Sequence, residues 1–168
     1  MDRPRPAARN REPDTGLVAH ATTPAPPAPE RSPQAEAILE AAARAFAERG
    51  FPGASMSELA RACGVSKALL YHYYTNKEEI LFDMTERYMT RLVALCAEIE
   101  AQKLEPRAHL AALIRSFLRE YQTSQHKHMV LTHDFKFLEE TRRRIIVRKQ
   151  RAVIDTFRRT IAAATGGG

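Results

Sequence analysis

The sequence predicts an all-α fold, a small three-helix unit near the N-terminus followed by a larger helical part. Three observations predict it. Apolar residues recur every third or fourth position through most of residues 33–164. Helix-start signals, either a Ser or Asn cap with Glu three residues on or a first-turn proline, stand before the periodic runs. No run alternates with a period of two or closes in a hairpin turn, and no internal repeat is visible.

The elements follow in order. Residues 1–32 read as a disordered tail, because eight of the ten prolines lie within residues 1–33 and large apolar side chains are scarce there. The tail lacks the apolar core of a secretory signal, and Asp2, Glu12, Asp14 and Glu30 fit a mitochondrial presequence poorly. Ser32 and Pro33 then form a cap and a first-turn proline. Ile38, Ala42 and Phe46 mark the buried stripe of the first helix, which Gly50 should end. Ser55 and Glu58 have capping-box spacing, and Met56, Leu59, Ala60 and Cys63 give the second helix one apolar face. Gly64 stops it, Val65 plugs the turn, and Ser66 caps a third helix that buries Leu70 and Tyr74.

Asn76 and Glu79 start a long fourth helix, striped by Ile80, Met84, Tyr88, Leu92 and Leu95 and uninterrupted by proline up to Lys103. Glu105–Pro106 opens a fifth, whose Leu110, Leu113, Ile114, Phe117, Leu118 and Tyr121 make a wide face suited to burial in a bundle. A helix around residues 128–137 and a last one from about Thr141, with Ile145, Ile146, Gln150, Val153, Ile154, Phe157 and Ile161, complete the chain. Cys63 and Cys96 have no metal or redox spacing and read as small buried apolar residues. No stretch approaches a membrane span, so the simplest location is the cytoplasm. The net charge of +6 suits an anionic partner without choosing one.

The chemistry concentrates in residues 55–74, SMSELARACGVSKALLYHYY. Two short capped helices joined by a glycine turn, the second presenting Lys67, Tyr71, His72 and Tyr73, have the dimensions and donors that a DNA major groove accepts. Residues 34–81 resemble the DNA-binding domain of TetR-type (tetracycline-repressor-like) transcriptional regulators. The likeness runs through AILEAAARAFAERGF, SMSELARACGVSKALLYHYY and TNKEEIL, in that family's order and spacing. Ala68 stands where the family often has glycine or proline, and Leu69 where a polar residue often touches DNA.

The resemblance implies a helix-turn-helix domain over residues 33–80 and an effector-binding and dimerisation domain over 81–168. It implies a ligand-responsive repressor, acting as a homodimer on a pseudo-palindromic double-stranded operator. Lys67 can reach a guanine edge or a phosphate; Tyr71 and Tyr73 can donate to phosphate oxygens; His72 can do the same or contact a base edge; Leu69 offers apolar contact to a thymine methyl. The resemblance implies that Ser55 caps the second helix near the DNA backbone, and Ser66 reads as a helix cap in preference to a base reader. The resemblance assigns phosphate contacts to Tyr71 and Lys77, the latter at a helix start where free amides already favour an anion.

A small lipophilic effector would lodge among Met84, Tyr88, Phe117, Tyr121, Met129, His133 and Phe137, residues that an ordinary core would equally use. The chain stops at Thr165 and three glycines, whereas similar regulators continue for two more helices, so the second domain is expected to be C-terminally truncated. That feature supports a rival reading, a helical interaction module or heterodimer partner without its own operator. An enzyme is not expected. His126, His128, His133 and Asp134 lack the spacing of a metal site, no nucleophile–base pair is visible, and no cofactor is implied. Arg142, Arg143, Arg144, Arg148, Lys149 and Arg151 read as a solvated helix face, or else as a second nucleic-acid surface.

Overall fold

The computed structural model describes residues 32–166, so the expected tail lies outside the described residues except for Ser32, and so do the last two glycines. Seven α-helices and one 3₁₀ turn follow in order, with no strand among the described residues. They are α1 (Pro33–Gly53), α2 (Met56–Ala62), α3 (Lys67–Tyr73), α4 (Lys77–Glu100), α5 (Pro106–Thr123), α6 (Gln125–His133), the 3₁₀ turn Phe135–Phe137, and α7 (Glu140–Thr165).

The start signals are used as read. Ser32 accepts the Ala35 N–H, Ser55 that of Glu58, Ser66 that of Leu69 and Asn76 that of Glu79. At Gly50 the backbone turns to φ 72°, ψ 156°, so the regular part of α1 ends there and one kinked turn carries Pro52 before Gly53.

One continuous core joins the two halves of the chain. Ile38, Leu39 and Phe46 of α1 pack with Leu59, Leu70, Ile80, Leu81 and Met84, and equally with Val130 and Leu131 of α6 and Ile146 of α7. A smaller cluster, Cys96, Ile99, Ala112 and Leu113, lies farther along α4 and α5. Cys63 and Cys96 are free thiols whose acidity burial weakens, as apolar placement requires.

Two expectations need correction. The helix expected over residues 128–137 starts three residues earlier and breaks after His133. Asp134 accepts a hydrogen bond from the Phe51 N–H and Phe137 stacks on the Phe51 ring, and both contacts turn the chain toward the end of α1. The wide apolar face of α5 is not buried either. Leu113 is sealed, but Ile114, Leu118 and Tyr121 stand 45%, 58% and 46% exposed. In α7 the buried line runs through Ile146, Thr156 and Thr160, leaving Ile154 and Ile161 in the open. The basic run at its start is largely paired. Arg142 reaches Glu78 and Glu79 of α4, Arg143 and Arg144 hold Glu140, and Lys149 meets Glu86.

Candidate nucleic-acid interface and adjoining cavity

Helix α2 is only two turns long, and its ends are closed by side chains rather than by length. The Ser55 hydroxyl accepts the Glu58 N–H at 3.2 Å while the Glu58 carboxylate accepts the Ser55 N–H at 2.8 Å. The Ser55 N–H first, and then the Ser55 hydroxyl, hold the Glu58 carboxyl below the usual carboxylate range. Gly64 takes φ 64° and lets the Val65 N–H return to the Ala60 carbonyl at 3.0 Å, which ends α2 and aims α3. Leu70, fully buried, and Tyr74, whose hydroxyl donates to Asp83 at 2.7 Å, then anchor α3 from behind.

What remains outward is Lys67, Ala68, Leu69, Tyr71 and His72, all exposed. The Lys67 ammonium lies 5.9 Å from the centre of the Tyr71 ring one turn on, so cation and phenol share one surface. Ser66 is exposed beside them, its hydroxyl occupied by the Leu69 N–H. Tyr73 behaves differently. Half-buried, it turns its hydroxyl to Ser32 at 3.1 Å, away from the Lys67 edge and toward the start of α1.

Lys77 departs furthest from the sequence reading. Its ammonium donates to the carbonyls of Phe51 (2.8 Å), Ala54 (3.0 Å) and Pro52 (3.4 Å) and sits 4.5 Å over the Phe51 ring. The joint around Phe51, including Asp134 and Phe137, was not visible in the sequence. The only available signal was a cation at a helix start, where the dipole disfavours it.

The comparisons with known proteins agree with this geometry. Residues 38–84 match the family model "Bacterial regulatory proteins, tetR family", and residues 103–168 match "Tetracyclin repressor-like, C-terminal domain". A TetR-family transcriptional regulator from Bordetella parapertussis 12822 superposes with a TM-score of 0.75 at 32% identity, over 79% of this chain and 69% of that one. This chain belongs to the TetR family. AibR, solved with isovaleryl coenzyme A and operator DNA, is 29% identical with a TM-score of 0.67, over 79% of this chain and 74% of that one. The transcriptional repressor KstR2 of Rhodococcus jostii (strain RHA1) is 30% identical over 112 residues, 61% of this chain and 55% of the relative. The chain thus spans about half the length of the curated relatives it matches.

In this TetR-family chain a cavity of about 650 Å³ opens between α4, α5, α6 and α7. Its walls are apolar, with Met89, Leu92, Ile114, Leu118, Val153 and Phe157 among them, and the polar groups are Tyr88, Tyr121, His128 and Gln150. The Tyr88 hydroxyl lies 3.3 Å from His128 Nδ1, and Tyr121 meets the same ring edge-on at 5.0 Å. Burial first, then Glu120, pushes the Tyr88 phenol up to about 12, so it stays protonated at neutral pH.

Of the seven residues expected around an effector, Tyr88, Phe117 and Tyr121 line this cavity. Met84 is sealed in the core instead. Met129, His133 and Phe137 do not line it: α6 presents His128 and Leu131 to the cavity instead, and Phe137 lies past the break after His133, stacked on Phe51. His133 turns its Nδ1 to the Met129 carbonyl at 2.9 Å. His128, Gln150 and the open face of α7 were missed. Among the described residues no group of three or more metal-ligating side chains converges, and no helix is long and apolar enough to cross a membrane.

Proposed function

We propose that this chain is a sequence-specific DNA-binding transcriptional regulator, a ligand-responsive repressor acting as a homodimer on a pseudo-palindromic operator. Residues 33–80 form its DNA-binding domain and 81–168 its effector and dimerisation domain, and it works in the cytoplasm without a cofactor. The observation that carries this reading is the exposed Lys67–Tyr71 edge of α3, held rigid by Ser55, Ser66 and the buried Leu70 and Tyr74. Lys67 reaches a base edge or phosphate near the start of α3. Tyr71 and His72 donate to phosphates, Ala68 and Leu69 pack on the groove floor, and Tyr73 and Lys77 bound the reading surface.

A single reading head binds weakly, so two heads about 34–36 Å apart supply the affinity. The effector is lipophilic, a reading supported by the apolar cavity and by the isovaleryl coenzyme A bound to AibR. To act, it must favour one spacing of the heads over the other.

Selection of bound duplexes from a random pool tests the proposal. The expected result is enrichment of a two-fold site. Lys67→Ala should then weaken binding to that site by about 1–3 kcal/mol and relax preference at one position per half-site. Enrichment of no sequence, with binding governed by salt alone, would defeat it. That result would favour the second reading, an interaction module without an operator, which the exposed Ile114, Leu118, Ile154 and Ile161 support.

A further inference from the structure

We infer that Lys77 is a positioning residue, one that locks the reading unit onto the start of α4 and makes no DNA phosphate contact. The inference rests on the DNA-binding proposal for its consequence, though not for its geometry. A lysine at the first position of a helix faces free N–H groups and the positive end of the dipole, so its charge must be compensated elsewhere. The compensation is at the far end of α1. There Gly50 breaks the helix, and the carbonyls of Phe51, Pro52 and Ala54 converge on the ammonium at 2.8, 3.4 and 3.0 Å. An ammonium has three donors, and here all three have acceptors, which leaves none for a phosphate.

The Phe51 ring lies 4.5 Å beneath the same charge and stacks on Phe137 at 5.3 Å, while the buried Asp134 takes the Phe51 N–H. Residues 51–54 lead into α2, and Lys77 follows α3 by four residues. The staple therefore clasps both ends of the α2–α3 unit and sets the angle at which α3 leaves the body. Lys67, whose ammonium meets the exposed Tyr71 ring and no acceptor among the described residues, is the built contrast.

The test compares Lys77→Met, Lys77→Arg and Lys67→Met by thermal melting and by the salt dependence of binding to the duplex recovered from selection. A phosphate-bound lysine contributes about 0.9 to the slope of log affinity against log salt. A staple contributes nothing to that slope. The expected result is that Lys77→Met binds more weakly with the wild-type slope and melts about 2–4 °C or more below wild type. Lys77→Arg should show the same fall in melting temperature, since a planar guanidinium cannot serve three carbonyls arranged around one point. Lys67→Met should flatten the slope and leave melting unchanged. A flattened slope for Lys77→Met, or an unchanged melting temperature for both Lys77 variants, overturns the inference. Were the wild-type chain to bind no duplex, the regulator reading alone would fall, and melting would still decide for or against the staple.

Discussion

Gly50 and Gly64 both take positive φ, but they are not equivalent residues. Gly64 takes φ 64°, the φ of the left-handed turn that other residues enter at modest cost. Gly50, at φ 72° and ψ 156°, occupies a region essentially restricted to glycine. A Cβ at position 50 would meet Pro52 at an ordinary 3.7 Å, and one at 64 would meet nothing within 4 Å, so only backbone strain separates them. Gly64→Ala is therefore expected to destabilise by about 1 kcal/mol, and Gly50→Ala by about 2–3 kcal/mol. Urea unfolding of the two variants checks the order, and equal losses would contradict it. Both stops were legible in the sequence because a glycine after a periodic run acts locally. Lys77 was not legible, because its acceptors lie 23 to 26 residues away and only folding brings them near.

At the scale of the element, α2 shows how much a short helix depends on its ends. Seven residues cannot hold a helix by propensity, so the reciprocal Ser55–Glu58 bonds set where it begins. Loss of the serine cap in Ser55→Ala should destabilise the fold by about 1 kcal/mol, read by chemical denaturation. The same bonds link α2 to pH. Because the Glu58 carboxyl is lowered in the folded chain, its contribution is complete above the unfolded carboxyl's ordinary value and fades as pH falls through the folded one. An NMR titration should find Glu58 below the usual range in the wild type and only partly raised in Ser55→Ala, whose backbone N–H still donates to the carboxylate. An unmoved Glu58 would mean that the serine hydroxyl has no part in lowering it. Capping patterns of this kind are written in adjacent residues, which is why four of the helix starts could be read directly. The break after His133 could not be read, since its cause is the docking of Asp134 and Phe137 on Phe51 in another helix. Periodicity likewise located α5 and α7 but not which side each would bury. Their apolar stripes are wider than the surface available to cover them.

For the whole molecule, Ile146 and Ile154 of α7 separate folding from association. Ile146 is fully buried in the core that also holds Ile38, Leu59 and Leu70 of the reading unit, 76 to 108 residues earlier in the chain. A core without an internal boundary should unfold as one unit. Ile146→Ala then costs about 2–5 kcal/mol and lowers the melting of the reading unit together with that of α7. Ile154, 54% exposed on the same helix, has little to lose by truncation, and Ile154→Ala should change stability by no more than about 0.5 kcal/mol. Its surroundings are another matter. With Ile114, Leu118, Tyr121 and Ile161 it lines an apolar surface of the kind that folded chains cover with a partner or a ligand. A homodimer built on that face predicts that Ile154→Asp shifts the sedimentation equilibrium toward monomer while leaving the melting temperature of the dilute chain in place. It also predicts that binding to a two-fold operator weakens, because each head must then bind alone. If Ile154→Asp left the association state untouched, the dimer would have to form elsewhere, and the open face of α5 and α7 would belong to the effector alone.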